Sequence, residues 1–556
     1  MSFACPVRDQ RLVLDTVVRI DELAATERFG DATPDTVDAV LEGAAQFATG
    51  QFAPLDRTGD TVGSKWADGA VTTPPGFREA YAAFVDGGWL TLAAPVAAGG
   101  QGLPLVLSAA LMEDLNAANI GFALCPMLSM GAIEALEAHG SDQQKADYLP
   151  RIVSGEWPAT MNLTEPQAGS DVGALKTRAE PNGDGSWKIS GTKIYITYGE
   201  HDLADNIIHL VLARTPGAPD GTKGISLFLV PKLLPDGSRN DLRCVSIEHK
   251  LGIHASPTCV MSFGDEGGAT GWLIGAEMAG MKAMFTMMNN ARLNVALQGV
   301  GIAERATQRA VVYALERRQL GKAIAEHPDV RRMLLRMRAL TNGARALNYY
   351  AFGQLDRKIA GDATAGYRAE VLTPLAKAWC TDIGCEVASL GIQVHGGMGF
   401  IEETGAAQHL RDARIAPIYE GTNGIQAADL VGRKLGLDGG EAFDGLIADI
   451  RAEIPDPRLI ALTDAVEVTA ATLRALGAED RLAGSYPFLT MTAVLVGGWL
   501  MERMARASAG DGAFEQRTRA AADYFIESIV PEALGLAAAA GGGAGTLYAV
   551  PAEALA

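Results

Sequence analysis

The chain is short of cysteine, histidine, aromatic residues and positive charge, and each shortage closes off a class of function. Six cysteines among 556 residues (Cys5, Cys125, Cys244, Cys259, Cys380 and Cys385) and eight histidines are scattered along it. None pair at zinc-ligand spacing, so no metal site is expected, and the thiols read as buried and reduced. Lys and Arg number 47 against 66 Asp and Glu, a formal net charge of -19. Such a chain repels phosphate backbones and shows no basic stripe, which argues against nucleic acid as a partner. The N-terminus has no apolar signal core, and Asp9 and Asp15 are out of place in a transit peptide. The most apolar run, 488–501, is too short to cross a bilayer and reads as a buried helix. A cytoplasmic protein without membrane contact is the expectation.

What is present is globular: 48% hydrophobic and 20% charged residues, over a length that exceeds one ordinary core. Residues 11–24 form a short amphipathic run carried by Leu12, Leu14, Val17, Val18 and Ile20. The stretch 58–77, with Gly59, Gly63, Pro74, Pro75 and Gly76, reads as a connection. A helical pattern follows to about 155. Ile208, Leu210 and Leu212, then Ile225, Leu227 and Leu229, next show the period of two of buried strands, which suggests a β-sandwich or barrel. After Gly280 the helical period returns at Met281, Met284, Met288, Ala291 and Val295 and continues to 435 as a bundle. The expected architecture is a multidomain α plus β protein. It has an extension (1–40), an N-terminal helical domain (41–157), a central β domain (158–273), a C-terminal helix bundle (274–436) and an additional helical domain (437–556). Gly299-Val300-Gly301 imitates a dinucleotide loop, but Glu304 takes the third glycine's place and the setting is helical.

Four segments carry chemistry. In Ile418-Tyr419-Glu420-Gly421-Thr422-Asn423-Gly424 a carboxylate stands between apolar residues and a glycine-rich turn. A carboxylate held against apolar surface is costly to ionise, the condition for a general base near neutral pH. A lone loop glutamate is ordinarily solvated; this one has company. Thr164-Glu165-Pro166-Gln167-Ala168-Gly169-Ser170-Asp171 combines hydroxyls with a glycine that allows close backbone approach. Ile194-Tyr195-Ile196-Thr197 is strand-like, and alternation puts Tyr195 and Thr197 on one face. Glu316-Arg317-Arg318-Gln319-Leu320-Gly321-Lys322 offers a guanidinium suited to a pyrophosphate.

Together these segments resemble the acyl-CoA dehydrogenase family of flavoenzymes over about residues 85–436. Pro6-Val7-Arg8-Asp9 and the helical region after Leu437 are similar to its longer subgroup, the 3-(methylthio)propanoyl-CoA dehydrogenase type. The resemblance implies FAD-dependent α,β-dehydrogenation of an acyl-CoA to the 2-enoyl-CoA, in fatty acid metabolism or dimethylsulfoniopropionate (DMSP) degradation. Glu420 would take the α-proton and flavin N5 the β-hydride. The Glu420 N–H, with a ribityl hydroxyl of FAD, would polarise the thioester. By the same resemblance Thr164, Ser170, Tyr195, Thr197, Arg317, Gln393, Gly397 and Thr422 contact FAD, Arg317 across a subunit interface. Ser170, Arg292 and Gly421 contact the substrate.

The implied partners are an acyl-CoA, electron-transfer flavoprotein as acceptor and further copies of the chain, as a homodimer or tetramer. Tyr195 departs from the family's usual Trp, and Asn289 from the Asp that usually precedes Arg292 by three. No glutamate lies near Ala291, where some relatives place the base. Two alternatives stand beside this reading: an acyl-CoA oxidase using O₂, and a DNA-associated alkylation-response relative. Against the second, Arg451, Arg503, Arg506, Arg517 and Arg519 are interspersed with Glu453, Glu502, Asp511 and Glu515.

Overall fold

The computed structural model describes residues 3–556, apart from the side chain of Asn289. It divides into two compact units. One comprises Gln46–Leu103 and Ala118–Ala291; the other comprises Met1–Ala45, Pro104–Ala117 and Arg292–Ala556.

The first of these carries the strands. The stretch 58–77, expected to be a connection, contains a hairpin of β1 (Lys65–Ala67) and β2 (Ala70–Thr72). Asp68 and Gly69, both at positive φ, turn it; an Asp-Gly pair is what a tight two-residue turn selects. A sheet of eight strands follows: β3 (Ala159–Asn162), β4 (Arg178–Pro181), β5 (Trp187–Thr197), β6 (Ile208–Arg214), β7 (Ile225–Pro231), β8 (Leu242–Ile247), β9 (Thr258–Phe263) and β10 (Ala269–Ile274). The order is β10-β7-β6-β4-β5-β9-β8, with β3 parallel to β6. Because β10 pairs with both β7 and β5, five strands close into a barrel, and closure removes their free edges. Strand β7 is buried along its whole length, as is β6 except at Arg214, hence their nearly unbroken apolar sequences. Ile189, Val211, Phe228, Val230 and Met261 lie in the barrel core.

The second unit is helical. Its long helices include Pro328–Ile359, Ala363–His395 and Ser485–Ala507. Gly299 lies inside the helix Gly280–Glu316, where a Cβ would sit 2.1 Å from the Cys380 carbonyl oxygen. The glycine therefore serves backbone-to-backbone helix contact and no nucleotide loop. Glu304 is buried and bonded to Arg338 and Arg345, at 2.7 and 2.8 Å. The amphipathic run 11–24 is interrupted: Arg19, at φ 56°, separates a turn at Leu14–Val18 from the helix Ile20–Ala24.

One further expectation is met and another needs correcting. The run 488–501 lies mostly buried in the helix Ser485–Ala507, as expected; among the described residues the helix long and apolar enough to cross a membrane is Leu105–His139, with mean hydropathy 1.4. It is broken at Asn119, and 83% of that apolar window is buried, as in the core helix of a folded domain. The thiols are all free, yet only Cys125, Cys244, Cys259 and Cys380 are buried; Cys5 and Cys385 are partly exposed. No cluster of His, Cys, Asp or Glu able to hold a metal occurs among the described residues.

Candidate active site

Glu420 stands in the loop between the helices Ala406–Ala413 and Asn423–Gly432. Thr422 caps the second helix, its hydroxyl accepting from the Ile425 N–H at 3.2 Å. Glu420 and Gly421 both adopt left-handed backbone, φ 55° and 85°. For a residue with a Cβ that conformation costs about 1–2 kcal/mol, so the surroundings must impose it. They do so through both carbonyls. The Glu420 oxygen accepts from Arg292 Nε and from Gln426 Nε2, each at 3.4 Å, and the Gly421 oxygen from Lys377 Nζ at 2.8 Å. The Glu420 N–H has no acceptor among the described residues.

Burial pushes the Glu420 carboxyl above the ordinary carboxylate range, and the charges of Arg292 and Lys377 draw it part of the way back. The desolvation does not come from Ile418, which is 47% exposed. Arg292, Lys377 and Gln426 are the side chains that hold the loop's carbonyls. The Arg292 side chain is buried; burial lowers its pKa while Asp429 and Glu420 oppose the shift. Tyr419 donates its hydroxyl to the Gln298 side-chain carbonyl. One residue thus offers a carboxyl poised to accept a proton and a free N–H able to receive a developing oxyanion.

Arg317 follows the helix end at Glu316, and Gln393 sits in the last turn of Ala363–His395, before Gly397; all three are exposed. A cavity of about 800 Å³ is bordered by Tyr313, Glu316 and His395, the helix ends that carry them. No hydrogen bond joins these three to the Glu420 loop among the described residues.

In the strand-bearing unit the loop 163–171 is bound to β5. Ile194 N–H donates to the Thr164 carbonyl at 2.9 Å, and just before the loop Thr160 of β3 donates its Oγ1 to the Thr197 carbonyl at 2.6 Å. The register of β5 against β9 slips between Lys193 and Ile196, a bulge that places Tyr195 at φ 60°. Ile189, Lys193 and then Ile196 face inward, so unbroken alternation would have turned Tyr195 into the core. The bulge instead holds its ring 59% exposed. Gly169 has open space where a Cβ would be, and Ser170 is exposed beside it.

Four family models match the chain. They describe the acyl-CoA dehydrogenase N-terminal domain over residues 35–156, the middle domain over 160–265 and the C-terminal domain over 278–435. An acetyl-CoA dehydrogenase C-terminal-like model covers 452–551. The chain is 47% identical to 3-methylmercaptopropionyl-CoA dehydrogenase of Ruegeria pomeroyi, over 96% of this chain and 97% of that one. The chain belongs to the acyl-CoA dehydrogenase family.

It is also 32% identical to the broad-specificity linear acyl-CoA dehydrogenase FadE5 of Mycobacterium tuberculosis, over 94% and 95% of the two chains. The crystal structure of a Bacillus anthracis acyl-CoA dehydrogenase complexed with FAD superposes with TM-score 0.76 at 22% identity, covering 98% of this chain and 92% of that one. The matched models reach from residue 35 to 551, further at both ends than the span 85–436 on which the motifs carried the resemblance. Membership makes the protein an FAD-dependent oxidoreductase acting on acyl-CoA thioesters; the oxidase and DNA-associated alternatives are not favoured. The residues fit the cofactor: an aromatic ring held out on a bulge, open backbone at Gly169 and the exposed Ser170 hydroxyl beside it.

Two contributors were missed in the sequence. Glu165, beside Thr164, accepts from Lys176 N, Thr177 N, Thr177 Oγ1, Gln167 Nε2 and Lys193 Nζ and so sets the loop's shape. Lys377 is a single cation in the apolar run Leu375-Ala376-Lys377-Ala378-Trp379, and that isolation was the available signal.

Proposed function

We propose that Glu420 is the catalytic base of this acyl-CoA dehydrogenase and that 3-(methylthio)propanoyl-CoA is its substrate. Bound FAD supplies the acceptor for the β-hydride. Glu420 takes the α-proton as the carbon–carbon double bond forms, and its unpartnered N–H holds the thioester oxygen while charge develops there. In the same reading Thr164, Ser170, Tyr195 and Thr197 contact the cofactor. Gln393, Gly397 and Thr422 contact it as well, and Arg317 does so across a subunit interface, while Arg292 and Gly421 position the substrate through the base loop. The observation that carries the assignment of the base is the meeting of three features at one residue: left-handed backbone, a carboxyl raised by burial and a free N–H. The choice of thioester is supported by the 47% identity over nearly the whole chain.

Electrons would pass to electron-transfer flavoprotein, and the functional form would be a homo-oligomer. The nearly bare side chains of Leu320 and Phe400, 91% and 85% exposed, support subunit contact. The test is anaerobic addition of straight-chain, branched and methylthio thioesters, following the flavin absorbance. Bleaching is expected fastest with 3-(methylthio)propanoyl-CoA, and absent with every thioester for Glu420→Gln that retains its FAD. Bleaching by that variant at the parent rate places the base elsewhere. Faster bleaching by butanoyl-CoA overturns the substrate. Stoichiometric peroxide under air overturns the electron acceptor.

A further inference from the structure

We propose that Lys377 is the positioning residue of the base loop, and that the hydrogen-bond chain Tyr486–Asp382–Asn423–Lys377 fastens that loop to the C-terminal helical appendage. The inference rests on Glu420 being the base. Lys377 is completely buried on the helix Ala363–His395. Its ammonium donates to the Gly421 carbonyl at 2.8 Å and to Asn423 Oδ1 at 2.9 Å. Asn423, the first residue of the helix after the loop, donates from Nδ2 to Asp382 Oδ1 at 2.9 Å. The other Asp382 oxygen accepts from the Tyr486 hydroxyl at 2.6 Å. Tyr486 lies in the helix Ser485–Ala507, within the segment added after residue 437. A buried ammonium is among the costliest groups a protein can hold, so one placed here against the Gly421 carbonyl and the Asn423 side chain has a use beyond packing.

That use is to fix both the shape and the charge of the loop. Burial pulls the Lys377 pKa down to about 7, opposed by the negative charges of Glu420 and Asp382 and aided by Arg292. The other charged groups near the pair are Asp429 and Arg433, on the helix Asn423–Gly432, and Arg414 beside Asp382. A cation facing Glu420 favours its ionised form. Removing that cation raises the carboxyl's pKa, and a higher pH is then needed to reach the basic form. Tyr486 stabilises the charge of Asp382, which in turn holds the proton on Lys377. Loss of the tyrosine hydroxyl therefore acts in the same direction, more weakly.

The experiment compares FAD-loaded parent, Lys377→Met, Tyr486→Phe and Glu420→Gln. Infrared difference titration, parent minus Glu420→Gln, follows this one carboxyl without turnover. Flavin bleaching by butanoyl-CoA and 3-(methylthio)propanoyl-CoA across pH follows its use. For Lys377→Met the carboxyl midpoint and the acid limb of bleaching are expected to rise together by about one pH unit, a roughly tenfold slower rate below the limb. For Tyr486→Phe, on a part-exposed side chain that leaves the fold intact, the rise is a few tenths of a unit. Parent midpoints in both variants overturn the proposal, and Tyr486→Phe decides alone if Lys377→Met does not fold. A shift with Lys377→Met and none with Tyr486→Phe overturns the tie to the appendage. Bleaching by Glu420→Gln at the parent rate overturns the base assignment and this inference with it. A silent Glu420→Gln beside unshifted Lys377→Met and Tyr486→Phe overturns this inference only.

Discussion

The Lys193 ammonium lies 2.8 Å from the Glu165 carboxylate, and the two side chains are 0% and 3% exposed. The pair ties β5 to the loop that carries Thr164, Gly169 and Ser170. Burial alone would raise the Glu165 carboxyl, but the Lys193 charge and the hydrogen bonds from Lys193, Thr177 and Lys176 outweigh it and bring it down to about 2. Lys193→Met leaves that carboxylate buried without its counter-ion, a loss of about 3–5 kcal/mol. A lower unfolding midpoint in denaturant and poorer FAD retention after gel filtration are expected together. Unchanged FAD retention in a variant of parental stability would separate the loop's shape from this pair.

The same pair sets an acid limit. Glu165 has its folded pKa held below the ordinary 4.5, so its contribution is complete above about 4.5 and drains away as pH falls toward 2. Between those values the melting temperature of Glu165→Gln is expected to fall less steeply than that of the parent. Parallel slopes would remove Glu165 from the acid transition.

Tyr195 separates backbone from ring. Its left-handed φ costs about 1–2 kcal/mol, which glycine would relieve and a β-branched residue would worsen. Since the ring is largely exposed, truncating it loses little packing. Denaturant midpoints are therefore expected to rank Tyr195→Gly at or above the parent, with Tyr195→Val lowest. Flavin retention should rank differently, the parent first and both variants below it. One common ranking for the two measurements would mean that the ring acts only through stability.

The contrast between legible and hidden features follows from what each signal depends on. Strands β6 and β7 were legible because both their faces are buried, so the whole run is apolar. Glu420 was legible through its motif, although its flanking Ile418 is exposed and the side chains that hold its loop, Arg292 and Lys377, are far away in sequence. The β5 bulge had no local signal: nothing in Lys193-Ile194-Tyr195-Ile196 announces positive φ, and the register against β9 imposes it. The hairpin at Asp68-Gly69 did carry its turn signal, but three-residue strands are too short to show alternation. Lys377 was hidden because one lysine in an apolar helix also fits a side chain that reaches out to solvent.

Arg292 supplies the other positive charge facing Glu420, and its Nε supports the base's own carbonyl. Arg292→Met is expected to raise the carboxyl further, moving the acid limb of flavin bleaching to higher pH. Because rate requires the ionised base, activity at low pH falls, while activity well above the limb changes less. The bleaching rate measured from pH 5 to 9 at saturating thioester checks this. A uniform drop at every pH would assign Arg292 to substrate placement, not to charge.

The N-terminal extension is held to the C-terminal appendage by two ion pairs of unequal worth. Arg517 contacts both oxygens of Asp9, at 2.6 and 2.7 Å, and the Asp9 side chain is 6% exposed. Arg8 meets Glu515 at 3.0 Å, with the arginine 69% exposed. A solvated pair contributes about 0–1 kcal/mol, whereas removing one partner of a buried charge-assisted bond costs about 1–3 kcal/mol. Asp9 also faces the positive charges of Arg338 and Arg345, so its loss leaves more than one cation short of a counter-charge. Asp9→Ala is therefore expected to lower the unfolding free energy clearly and to open the chain near residue 515 to limited proteolysis. Arg8→Ala should do neither. Equal effects from the two variants would mean that burial of Asp9 does not set the strength of this latch.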